Sequence, residues 1–104
     1  MPKEYLLRLN VPPGLEEDMV DLLLGFDQIS GYQSYPTRGH GQVGAMSIAE
    51  QVVGRRDRVQ FEVVLEPGVL QPLLDSLKKA LPVRDVIYWV LPVEQSGRLS
   101  DPIF

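Results

Sequence analysis

A chain of 104 residues, 44% apolar and 23% charged, is long enough for one globular domain with a modest core. Its formal net charge of −4, without a run of like charges, argues against a duplex-binding protein, and no nucleic-acid partner is expected. The absence of cysteine removes disulfides, thiolate catalysis and thiolate metal sites together. The N-terminus lacks the apolar region and cleavage site of a signal peptide, and the longest apolar run, Val86 to Val93, is too short to span a bilayer. A cytoplasmic protein without membrane insertion is expected.

Tyr5, Leu7, Leu9 and Val11 alternate with Leu6, Arg8 and Asn10, the period of a strand with one covered face. Pro12-Pro13-Gly14 stops it. Leu15, Met19, Leu22, Leu23 and Phe26 then recur at helical spacing, with Glu16, Glu17 and Asp18 near the helix N-terminus, where the dipole favours acids. Ile29 to Pro36 reads as a second strand. Val59, Phe61, Val63 and Leu65 form a third, and Val69, Leu73, Leu74, Leu77 and Leu81 a second amphipathic helix, with Pro72 expected in or near its first turn. Val86 to Val93 is a last strand, apolar on both faces.

The two halves superpose at an offset of 54 residues: Tyr5, Leu7, Leu9 and Val11 fall on Val59, Phe61, Val63 and Leu65, and Pro13-Gly14 falls on Pro67-Gly68. A duplicated βαβ unit gives the α+β, ferredoxin-like order βαββαβ. Its four-stranded antiparallel sheet would carry both helices on one face, with the strands from Tyr5 and Val59 in the centre. One domain over 1–104 is expected, with a flexible loop at about 37–58 and a tail at about 94–104. The last strand is apolar on both sides, Ile87, Trp89 and Leu91 against Val86, Tyr88 and Val90, and Leu6 and Val64 also point away from the helices, so the open face is expected to carry an apolar patch that subunit contact or, alternatively, the tail covers.

Thr37 to Arg58 is a basic island. Its four arginines against Glu50 and Asp57 give +2, leaving −6 for the rest of the chain. Four glycines there let backbone N–H groups approach an anion, and the arginines supply charge and bidentate donors, so a phosphate or nucleotide loop competes with a plain solvated excursion. Arg38 is the electrostatic candidate for ligand contact. Arg55, Arg56 and Arg58 read as a re-entry into the sheet, their charge directed to a partner or neighbouring subunit. His40, between two glycines, is a weak candidate metal ligand, and Met19 reads as core.

Catalysis has little support. Ser47 and Glu50 form a capping box for a short helix better than they form a catalytic pair, and no Ser–His–Asp, paired-carboxylate or H-E-x-x-H spacing occurs. An acylphosphatase would need an arginine-bearing phosphate loop where Asn10-Val11-Pro12-Pro13-Gly14 stands. An RNA-recognition fold would stack bases on open-face aromatics, whereas Phe61 belongs to the helix-covered face. The protein is not expected to be an enzyme.

With Arg38-Gly39-His40-Gly41-Gln42 leading into a long excursion, and Ile87-Tyr88-Trp89-Val90-Leu91-Pro92-Val93 as last strand, the chain resembles the P-II signalling proteins. It is most similar to a small P-II-like family found near heavy-metal and cation efflux systems, on the R-G-H…S-x-A-E-Q-V-x-G-R and Y-W-V-L-P-V segments, over Tyr5 to Leu99. The resemblance implies a homotrimer with sheets facing inward, adenine nucleotide in clefts between subunits, and a mobile T-loop acting on a protein partner such as a membrane transporter. By position, Gly39, Gly41 and Gln42 would lie at the T-loop base near the phosphates, and Arg98 would stand where P-II uses C-terminal-loop arginines.

Classical P-II has a G-D-G-K phosphate segment where this chain has Leu81-Pro82-Val83-Arg84-Asp85. AMP or ADP is therefore expected rather than ATP, with no cofactor required; Arg84 reads either as a partial substitute for the lysine or, more simply, as an exposed charge at a strand start. The expected function is a non-enzymatic sensor. The alternatives are a metal-tolerance protein similar to CutA, binding a divalent cation at His40 with a neighbouring subunit's carboxylates, and a ligand-free trimeric adaptor.

Overall fold

The structure, a computed structural model, describes residues 3–40, 56–81 and 85–101. In chain order it contains β1 (Glu4–Val11), a 3-10 turn (Pro13–Leu15), α1 (Glu16–Leu24), β2 (Gln33–Gly39), β3 (Arg56–Leu65), α2 (Pro67–Ala80) and β4 (Ile87–Val93). The strands form one antiparallel sheet in the order β2-β3-β1-β4, so the two strands related by the repeat are central, and the expected ferredoxin-like α+β fold is the one observed.

The register follows from the alternating pattern. Tyr5 lies opposite Leu65, Leu7 opposite Val63, Leu9 opposite Phe61 and Val11 opposite Val59, which puts the apolar set of both strands on one face. There Leu7, Val11, Met19, Phe61 and Val63 are fully buried, joined by Leu23 from α1 and Leu73, Leu74 and Leu77 from α2. The Tyr32 ring tilts against Phe61 at 6.0 Å between centroids. Among the described residues, no helix is long and apolar enough to cross a membrane.

Three boundaries differ from expectation. β2 begins at Gln33, and Ile29 to Gly31 stay outside the ladder; it then continues through Pro36 to Gly39. Proline is tolerated there because β2 is an edge strand with one unpaired side, and Pro92 sits in the other edge strand, β4. β3 starts at Arg56, so both ends of the basic island are sheet. Pro72 is the sixth residue of α2, beyond the first turn, and removes a donor to the Gly68 carbonyl. Pro67 at the helix start and Lys78 and Lys79 in its last turn are the favoured placements. The proposed capping box Ser47–Glu50 lies outside the described residues.

Tail residues 94–101 are all exposed, with Ser96 hydrogen-bonded to Glu4. Val64, Ile87 and Trp89 on the open face keep 42%, 36% and 39% exposure, so the described tail does not cover that face. Truncating Phe61 to alanine should cost about 3–5 kcal/mol, a large share of the roughly 5–15 kcal/mol of a small domain, read as a lower denaturant midpoint at unchanged slope.

Candidate functional site

At one end of the sheet, β1 and β2 finish and β3 and β4 begin. Their open-face residues are interlocked by polar side chains rather than apolar ones. Arg58 and Gln60 project from β3 and are buried, as is Arg56 at the strand's first position. A buried guanidinium requires partners for its N–H groups, and Arg58 has them. Its Nε donates to Asn10 Oδ1 at 2.6 Å, Nη2 to the carbonyl oxygens of Asn10 (2.8 Å) and Asp85 (2.7 Å), and Nη1 to Asp85 Oδ2 at 2.8 Å.

Arg58 thus ties the end of β1 to Asp85, two residues before β4. The network continues sideways. Asn10 Nδ2 donates to Gln60 Oε1 at 3.0 Å and at longer range to Thr37 Oγ1, while Gln60 Nε2 donates to Tyr35 Oη at 3.2 Å. Asn10 and Gln60 face each other across β1 and β3, as Arg8 and Glu62 do in the next open-face pair, joined by a 2.7 Å ion pair. Arg56 Nη1 lies 3.2 Å from both carboxylate oxygens of Asp85.

A concavity of about 270 Å³ opens here, lined by Arg38, Gly39, His40, Arg56 and Arg58 with Thr37, Asn10, Gln60, Ile87 and Trp89. Gly39 is opposite Arg56 in the ladder, and a Cβ on it would lie 3.3 Å from Arg56 Cγ and 3.6 Å from Arg58 Cγ. The glycine is the gap through which the arginine stems pass. Arg56 and Arg58 line it from β3, joined by Arg38 and His40, so the local charge favours an anion. It disfavours a divalent cation at His40, and among the described residues no group of three histidines, aspartates or glutamates could hold a metal ion.

The structure brings three of the sequence-predicted site residues together, Arg38, Gly39 and His40. Gly41 and Gln42 lie outside the described residues, as does Arg84. Arg98 is elsewhere. β4 enters the sheet opposite Asn10 and leaves it opposite Glu4, and Arg98 follows, in a turn closed by Asp101 N–H to the Arg98 carbonyl and by Arg98 N–H to Asp101 Oδ2. Six residue steps along a strand are roughly 20 Å, so within one chain Arg98 and Gly39 sit at opposite ends of the sheet. Arg56, Arg58, Asn10 and Asp85 were missed as a unit. Arg56 and Arg58 turn inward to this chain's own Asp85 rather than outward to a partner, and the available signal was that both occupy open-face positions once Val59 and Phe61 are placed in the core.

Replacing Arg58 with methionine should destabilise the protein by about 1.5–3 kcal/mol, the worth of hydrogen bonds to a charged group, with half-exposed Asp85 able to regain water. Arg38→Ala, at an exposed position, should change stability by less than about 0.5 kcal/mol. Urea unfolding of the two variants makes the comparison.

A search of the curated proteins finds no match. Among solved structures, a DUF3240 family protein from Shewanella baltica OS155 is 25% identical, with a TM-score of 0.79 over 96% of this chain and 100% of that one. Arabidopsis thaliana PII bound to citrate is 18% identical, with a TM-score of 0.71 over 94% of this chain and 84% of that one. CPII, a nitrogen regulatory PII-like protein from Thiomonas intermedia K12 bound to ADP, AMP and bicarbonate, is 20% identical, with a TM-score of 0.69 over 96% of each chain. The last two share the fold described above, which is therefore P-II-like. The model of the family "Protein of unknown function (DUF3240)" matches residues 1–100, nearly the whole sequence, and the chain belongs to that family.

Proposed function

We propose that this chain is a non-enzymatic, P-II-like sensor that binds an adenine nucleotide, AMP or ADP, between the subunits of a homotrimer. Ligand occupancy at the base of the β2–β3 connection then sets which protein partner, such as a membrane transporter, the trimer engages. The observation that carries the reading is the concavity itself, which Arg38, His40, Arg56 and Arg58 all line where the chain leaves β2 and re-enters β3. A phosphate there would meet charged donors in a partly desolvated setting, where such hydrogen bonds are worth about 1.5–3 kcal/mol each. That a P-II-like protein of the same fold binds ADP and AMP supports adenine nucleotide as the ligand class.

The assembly is part of the same proposal. Arg98 can reach a ligand at Gly39 only from a second copy, because one chain holds the two residues at opposite ends of its sheet. The exposed Val64, Ile87 and Trp89 on the open face support burial of that face in the trimer. Regulation requires only that the nucleotide bind one conformation of the connection more tightly than another. Gly41 and Gln42 belong to the proposed phosphate contacts by their place in the sequence, and the cytoplasm is the proposed compartment.

Calorimetric titration with AMP, ADP and ATP tests the reading. AMP and ADP should bind at submillimolar to millimolar concentration, and Arg98→Ala should weaken them about tenfold, equivalent to ~1.4 kcal/mol. Absence of heat with all three nucleotides at millimolar concentration would overturn it.

A further inference from the structure

Asp85 stands beside the concavity rather than in its lining. Its carboxylate meets Arg56 and Arg58, the two guanidiniums that reach deepest into the fold, yet it is the solvent-side member of both ion pairs. The Asp85 side chain is 43% exposed, against 6% for Arg56 and 2% for Arg58.

The two contacts are unequal. Arg56 offers a single nitrogen, Nη1, shared between both carboxylate oxygens at 3.2 Å, longer than the roughly 2.7–2.9 Å of a strong charge-assisted hydrogen bond and without the two-nitrogen fork that makes arginine–carboxylate pairs strong. Arg58 holds Asp85 Oδ2 at 2.8 Å, and it also holds the Asp85 backbone carbonyl at 2.7 Å and Asn10 through two further bonds. Residue 85 is therefore anchored through its backbone, and its carboxylate can leave Arg56 by side-chain rotation alone. A group already near half hydrated loses little on returning to water, whereas the buried guanidiniums must keep an anion at hand.

We infer that Asp85 is a resident competitor: its carboxylate claims the charge of Arg56 and Arg58 that a phosphate or carboxylate group of a ligand in the concavity would take, and ligand entry exchanges it off Arg56 while Arg58 keeps its hold on the backbone. The inference rests on the reading that this concavity takes an anion, but not on that anion belonging to an adenine nucleotide. The exchange sets a threshold. An internal carboxylate lowers the apparent affinity for every anion at the site, so only a ligand with contacts beyond its charge displaces it at low concentration.

Inorganic phosphate is the probe. Thermal unfolding and calorimetry are run across a phosphate titration on the wild-type chain, on Asp85→Asn, and on Asp85→Asn combined with Arg56→Gln. Asp85→Asn should bind phosphate at least about tenfold more tightly than wild type and show the larger phosphate-dependent rise in Tm. The double variant should lose that gain. Equal or weaker phosphate binding by Asp85→Asn overturns the inference, as does a gain that persists without Arg56. An Asp85→Asn chain that stays unfolded at saturating phosphate overturns it too, because an external anion must be able to stand in for the carboxylate. AMP titrated in parallel separates the two readings. AMP binding that is unaffected by Asp85→Asn, with phosphate indifferent, leaves the nucleotide reading standing and the exchange refuted. Tighter phosphate without AMP binding to any variant gives the converse.

Discussion

The pairing of β1 with β3 is the constraint on which the rest of the molecule depends. Its register, Tyr5 opposite Leu65 through Val11 opposite Val59, decides at once which residues make the core and which face outward. Because strand side chains alternate with a period of two, a slip of β1 by one residue against β3 would carry Leu7 and Leu9 to the open face and drive Arg8 and Asn10 under the helices. Burial of the apolar set excludes that slip. The polar cross-strand pairs Asn10–Gln60 and Arg8–Glu62 then lock the same register from the other side.

From this pairing follow the two ends of the sheet. At one, Arg58 joins the end of β1, the start of β3 and Asp85, two residues before β4, leaving a basic concavity beside the point where β2 gives way to the β2–β3 connection. At the other, β4 runs out next to Glu4 and delivers Arg98. The fold separates these groups within a chain. The same geometry explains why β2 and β4 accept Pro36 and Pro92. Both strands lie at the sheet edge, where a missing N–H breaks no ladder.

Most of the architecture was legible in the sequence because the signals were redundant. The alternation in Tyr5–Val11 and Val59–Leu65, the helical spacing of Met19, Leu23, Leu73 and Leu77, and the repeat at 54 residues all require the same two-layer arrangement, and the buried residues are those the patterns named. What was hidden depends on tertiary partners. Asp85 lies 27 residues from Arg58 in sequence, and nothing local marks the two as a pair. Read in sequence, Arg56 and Arg58 mark the re-entry into the sheet but not their burial, which follows because pairing with Thr37 to Gly39 prolongs β3 beyond its apolar residues and both side chains turn in to Asp85. The start of β2 was misplaced for the same reason: an edge strand is defined by its single neighbour, and its own composition is uninformative. The candidate site was legible only as a composition of glycine, arginine and histidine, and the arrangement that turns it into an anion-favouring concavity was not.

In the sensor proposed above, two copies of the chain complete the nucleotide site, one contributing the Arg38 end of its sheet and the other Arg98. Complementation measures this directly. Arg38→Ala and Arg98→Ala chains, each impaired in binding AMP, are unfolded together, refolded as a mixture, and titrated with AMP beside the two unmixed variants. The account predicts that the mixture regains a fraction of high-affinity sites, because some interfaces then pair an intact Arg38 end with an intact Arg98. A mixture that exchanges subunits, yet binds AMP no better than the average of its parents, would contradict it.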